Sequence, residues 1–109
     1  MAKGAQGKRA PHPRTCDYAK QFSKDWARLS GSGRFDMNRL KSVMLQLIAN
    51  DVPLGPEWKD HPLKGEWASY RECHIGGDFL LIYRVDDAAR KGGTIVFARA
   101  GTHSDLFGE

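Results

Sequence analysis

Two glycines, Gly76 and Gly77, stand between the β-rich runs Trp67 to Ile75 and Asp78 to Val85. That pair leaves few folds open. Glycine adopts positive φ without steric cost, so a Gly-Gly link between two such runs signals a tight hairpin. In a two-residue turn, residue 75 pairs with 78 and residue 74 with 79. His74 and Phe79 are then expected across from each other on one face of the sheet. A third run, Thr94 to Ala100, extends the hairpin to an antiparallel meander through the polar link Asp86 to Gly93.

The first half of the chain has a different period. Ala19, Phe22, Trp26 and Leu29 recur at helical spacing, which predicts a helix from Tyr18 to about Ser30, stopped by Gly31-Ser32-Gly33. Asp36 is a good N-cap for a second helix carrying Met37, Leu40, Val43, Met44, Leu47 and Ile48. That helix ends near Asn50, ahead of Pro53, and its stripe reads as core. Leu54 to Lys64, with Pro56 and Pro62, reads as loop. Helices followed by strands predict an α+β domain, with two N-terminal helices packed on one face of a small antiparallel β-sheet. The other face is left for a ligand.

At 109 residues the chain holds one small domain. No apolar run approaches the roughly 20 residues of a membrane span. The basic N-terminus has no apolar segment behind it, so it does not read as a secretory signal. Cys16 and Cys73 form no disulfide framework and are expected to be reduced, in a cytoplasmic protein. The net charge of +4 is local. Lys3, Lys8, Arg9 and Arg14 all precede the first acid, Asp17, and thirteen cations balance thirteen acids thereafter. Residues 1–14 therefore read as a basic, disordered leader and 15–109 as the domain. Such a leader either aids solubility or tethers the protein weakly to RNA.

The chemistry concentrates in Asp60 to Phe79, DHPLKGEWASYRECHIGGDF. It holds His61, His74 and Asp78, and His103 follows in Gly101-Thr102-His103. With an unperturbed pKa of about 6.5, histidine suits proton transfer near neutral pH. Metal-free RNA cleavage needs a base for the 2′-hydroxyl, an acid for the departing 5′-oxygen, and a donor or cation for the charged phosphorane. These side chains, with nearby Arg or Lys, can supply all three, but each histidine alone reads more readily as a structural or surface residue. A zinc site is the competing reading, and a poor one, because Cys73 and His74 are strand neighbours that point to opposite faces. No metal or other cofactor is expected. From the residues alone, a ribonuclease is one reading among several.

The order Asp60-His61-Pro62-Leu63-Lys64-Gly65, Tyr70-Arg71-Glu72-Cys73-His74, Asp78-Phe79-Leu80-Leu81-Ile82-Tyr83 and Gly101-Thr102-His103 with Leu106-Phe107 resembles the YafQ branch of the RelE/ParE-type bacterial toxins. The resemblance runs from about Tyr18 to Gly108. It implies a toxin of a type II toxin–antitoxin system: a ribosome-dependent endoribonuclease that cuts mRNA in the decoding site and is silenced by a cognate antitoxin. The implied partners are that antitoxin and the mRNA-loaded ribosome, with no membrane and no metal. It also implies an edge strand near Arg14 to Asp17. Carried over by position, it marks His61, His74, Asp78, His103 and Phe107 as catalytic, with Phe79 as a base-stacking surface. Arg99 and Lys59 are expected to be cations facing the RNA. Phe79 departs from the best-known form of the family, which carries tryptophan there, and the Asp86–Gly93 link is longer than usual. A non-catalytic relative that binds a protein such as a gyrase, and a plain RNA-binding module, are the alternatives.

Overall fold

The computed structural model describes residues 12–87 and 92–108. The chain runs β1 (Thr15–Tyr18), α1 (Lys20–Ser32), α2 (Met37–Ala49), β2 (His61–Pro62), β3 (Arg71–Gly76), β4 (Phe79–Asp86), β5 (Thr94–Gly101) and α3 (His103–Phe107), with 3₁₀ turns at Pro56–Trp58 and Gly65–Trp67. The strands form one sheet in the order β1-β5-β4-β3-β2. The expected meander is its centre. The sheet is mixed rather than purely antiparallel, because β1 pairs with β5 in parallel, Thr15 opposite Thr94 through Tyr18 opposite Phe97.

Both helices cover one face, as their apolar stripes require. Phe22 and Leu29 of α1 and Leu40, Val43 and Leu47 of α2 pack with Cys73, Ile75, Leu81, Tyr83, Ile95 and Phe97 of the sheet. Asp36 caps α2 by accepting from the Arg39 backbone N–H at 2.9 Å, and Gly33, at φ 73°, ends α1 in the left-handed conformation. The last carbonyls of α2 find an external partner. Arg14 donates its backbone N–H to Ile48 at 2.8 Å and Nη1 to Leu47 at 2.7 Å. Arg14, assigned to the leader on sequence, is therefore tied to the folded part. Residues 1–11 of that leader, and 88–91 of the β4–β5 link, lie outside the described residues.

β1 ends at Tyr18 and leaves the last residues of β5, paired with β4 on their other side, without a strand neighbour on this edge. α1 takes over that edge. Ala19 N–H donates to Phe97 O at 2.9 Å, the fully buried Asp25 accepts Ala100 N–H at 3.1 Å, and Arg28 reaches Ala100 O at 3.5 Å. Side chains thus replace the missing ladder bonds of an otherwise open edge. Asp25 also receives two bonds from Arg99, at 2.8 and 3.1 Å. Burial pushes the Asp25 carboxyl up, but the bonds from Arg99 and Ala100 outweigh it and hold the group below the ordinary carboxylate range.

Two expectations about β3 and its hairpin are corrected. β3 begins at Arg71, not Trp67, because Gly65 at φ 64° opens a 3₁₀ turn through Trp67. The hairpin turns on Gly77 and Asp78 rather than on Gly76 and Gly77. His74 pairs with Leu80 and Gly76 with Phe79, with a bulge between them. A slip of one residue exchanges the two faces of a strand. Phe79 therefore points into the helix-side core, while Leu80 shares the open face with His74.

Candidate active site

The open face carries a smaller apolar cluster of Leu80, Ile82, Ala98 and Leu106, flanked by Leu63, Trp67, Tyr70 and Phe107. Four rings line up beside it. Centroids are 6.0 Å apart for His61–His74, 6.3 Å for His74–His103 and 6.1 Å for His103–Phe107. Sequence positions spread over almost fifty residues converge here, each by a distinct local device.

His61 arrives on a pinned loop. Asp60 accepts from Tyr83 Oη at 2.7 Å and from Arg71 Nε at 3.1 Å. The two-residue β2 then sets His61 opposite Glu72. His61 Nδ1 lies 2.8 Å from the Lys59 carbonyl, which can only accept, so Nδ1 carries the proton. His74 projects from β3 opposite Leu80. His103 opens α3, whose start is fixed by a reciprocal capping box between Thr102 and Asp105. Helical spacing aligns His103 with Phe107. Asp78, at the hairpin turn, accepts from the His103 backbone N–H at 3.2 Å and lies 2.5 Å from its Nδ1. These bonds hold the Asp78 carboxyl below its ordinary range and fix the orientation of the ring.

Glu72 is the residue that sequence reading missed. It is 4% exposed, and its Oε2 lies 3.3 Å from His61 Nε2 and 3.6 Å from His74 Nε2. Since His61 Nδ1 holds one proton, the Nε2 contact becomes a hydrogen bond only when another proton sits between imidazole and carboxylate. The geometry leaves room for one shared proton between His61 and Glu72. The signal was available, because residues 72 and 74 share a face of any strand. Burial lowers the pKa of His74, and the neighbouring cationic groups His61, Lys59 and His103 add to this against the opposing pull of Glu72.

The same cluster revises the metal expectation. Cys73 does point away, into the core, where burial pushes its thiol up to about 12. Glu72 takes the place that a cysteine could not. One ligand atom from each of His61, Glu72 and His74 lies within 4.8 Å of the others. Two imidazoles and a carboxylate are suitable donors for zinc or copper.

Two of the expected RNA contacts are elsewhere. Phe79 is 5% exposed and belongs to the helix-side core, so it cannot serve as the open-face stacking surface. Arg99, expected to face phosphate, has its guanidinium occupied by Asp25. Lys59, the third cation or ring expected at the RNA, is exposed, and its carbonyl lies against His61. His61, His74, Asp78, His103 and Phe107 are brought together.

The YafQ family model, described as a bacterial toxin of type II toxin–antitoxin systems, matches residues 14–108. The chain is 43% identical over 95 residues to the mRNA interferase toxin YafQ of Escherichia coli strain K12, covering 87% of this chain and 97% of that protein. It superposes on the toxin in the E. coli DinJ–YafQ complex with a TM-score of 0.73 and 42% identity, covering 86% of this chain and 98% of that one. A metal-bound toxin from Helicobacter pylori gives a TM-score of 0.73 and 39% identity, covering 86% and 99%. With nearly all of the folded part matched at this identity, the chain belongs to the YafQ family of bacterial toxins of type II toxin–antitoxin systems.

Proposed function

We propose that this protein is an mRNA interferase: a ribosome-dependent endoribonuclease that cuts mRNA in the decoding site, blocks translation in the cytoplasm, and is held off by a cognate antitoxin. The observation that carries the reading is the division of the open face. The buried Glu72 with His61 and His74 lies on one side, and the Asp78-held His103 lies about 6 Å away between ring centroids. The E. coli relative is named an mRNA interferase and is solved with DinJ, which supports both the chemistry and the antitoxin.

The arrangement supports a simple in-line mechanism. The Glu72–His74 side takes the proton from the 2′-hydroxyl, whose oxygen attacks the adjacent phosphorus. His74, kept neutral to more acidic pH by burial, suits that role. His103 gives a proton to the departing 5′-oxygen, and ionised Asp78 compensates the charge on its ring before transfer. Products are a 2′,3′-cyclic phosphate and a 5′-hydroxyl, so no external reactant is consumed. Lys59 offers positive charge to the phosphorane, His61 flanks it on the Glu72 side, and Phe107 forms one wall for a base. Proton transfers of this kind contribute about 10²- to 10⁴-fold each.

Primer extension on translating ribosomes tests the reading. Purified toxin should give discrete, codon-phased stops that disappear when translation is blocked. Translation arrest without any cut would favour a binding module instead. Cutting should persist in chelated toxin once the ribosome's magnesium is restored. Added zinc should inhibit, because it takes the lone pairs of His61, Glu72 and His74. Cutting that requires added zinc would overturn the metal-free mechanism.

A further inference from the structure

Beside His103, on the far side of the hairpin turn, a second cleft of about 360 Å³ opens between the start of α2 and the β3–β4 turn. Its lining includes Arg34, Phe35, Arg39, Asp78, Phe79 and Thr102. Asp78 and Thr102 join it to the histidine site, since one holds the His103 ring and the other caps the helix that carries it. Phe35 is half-buried. Its ring rests on the buried Phe79 ring at 4.9 Å, which fixes its position. The exposed Arg34 guanidinium lies over the Phe35 ring, 5.3 Å from its centre, and enters no ion pair among the described residues. Arg39 is held over Trp58 at 4.3 Å and bonds the Ile75 carbonyl, so its charge is fixed in place.

A supported aromatic ring and an exposed guanidinium over it, free to turn to a phosphate and leave the ring to a base, are the groups with which proteins hold single-stranded nucleic acid. The volume is at the low end for small-molecule sites and suits a single nucleotide. A partner helix needs a longer apolar groove. Direction follows from the chemistry. The 5′-oxygen that His103 protonates belongs to the nucleotide on the 3′ side of the cut, and the cleft adjoins His103. We propose that this cleft binds the nucleotide 3′ of the scissile phosphate, with its base on Phe35 and its phosphate at Arg34. This inference rests on the nuclease reading above. It moves the stacking role expected of Phe79 to Phe35.

The test pairs protein variants with an altered mRNA in the ribosomal cleavage assay. Phe35→Leu keeps apolar volume and removes the ring, Phe35→Trp keeps a ring, and Arg34→Gln removes an exposed charge. An abasic site 3′ of the cut should slow wild-type cleavage about tenfold. It should add little to Phe35→Leu, which already carries that loss. Phe35→Trp should cleave normally. Arg34→Gln should raise KM several-fold at unchanged kcat and flatten the salt dependence. The proposal falls if the abasic mRNA is cut at the normal rate, or if its penalty persists in full in Phe35→Leu. It also falls if the variants lose antitoxin affinity while cleaving normally. Should Phe35→Leu fail to fold, normal cleavage by Arg34→Gln would overturn it. A wild-type protein that cuts nothing refutes the nuclease reading itself, a result distinct from all of these.

Discussion

His74→Ala and His103→Ala will each slow mRNA cleavage by about 10²- to 10⁴-fold. Neither should disturb the fold much. His103 is half-buried on a five-residue helix whose capping box and Leu106 anchor remain, and His74 packs on the open face rather than in the main core. Melting temperatures within a few degrees of wild type, measured beside single-turnover cleavage on ribosomes, check this. The two variants should also differ in pH response. Burial lowers the His74 pKa, so its neutral form persists to lower pH than free imidazole. The acidic limb of the wild-type profile should therefore lie below that of free imidazole and change in His74→Ala. Wild-type rates in both variants would remove the histidines from the mechanism. Asp78→Asn should show a smaller loss than His103→Ala, because it leaves the acid but loosens its orientation.

Phe79→Ala will cost about 3–5 kcal/mol of folding stability, the usual loss for a buried phenylalanine. For a domain of this size, each kcal/mol lowers Tm by roughly 4–8 °C, so much of the protein should be unfolded at growth temperature. Phe79→Leu should recover most of the loss, since it refills the volume. Phe79→Trp, although tryptophan is what the best-known form of the family carries, overfills a site already closed by Phe35 and should cost about 1–3 kcal/mol. Thermal melts with cleavage normalised to folded protein separate packing from catalysis. A large activity loss at unchanged Tm would return Phe79 to the substrate.

Much was legible before any coordinates. The helical stripe after Asp36, its cap, and its stop at Asn50 follow from local rules, because capping and periodicity act within a few residues. The layered α+β architecture follows from the same patterns, since each amphipathic element must bury its apolar side. The family was readable from His61, His74, Asp78 and His103 in their motifs, and the structure gathers these residues on one face. The register of the β3–β4 hairpin was not. Whether the turn sits on Gly76-Gly77 or one residue later changes little locally, yet it decides which face Phe79 and Leu80 occupy. The helices on one side and the histidines on the other settle that choice.

Long-range pairing decided the rest. Arg99 looked like a cation awaiting phosphate because nothing near it in sequence answers its charge. Asp25, 74 residues away, does so, because β1 ends early and α1 must close the open edge of β5. Glu72 reads as a surface acid in a strand until β2 sets His61 against it. By itself the sequence determined the two main helices, the three-strand meander, their layers and the residue types gathered on the open face, since those depend on neighbours along the chain. Only the tertiary structure decided which charges are already paired, which ring is core, and which acid joins the histidines, since those depend on contacts between distant segments.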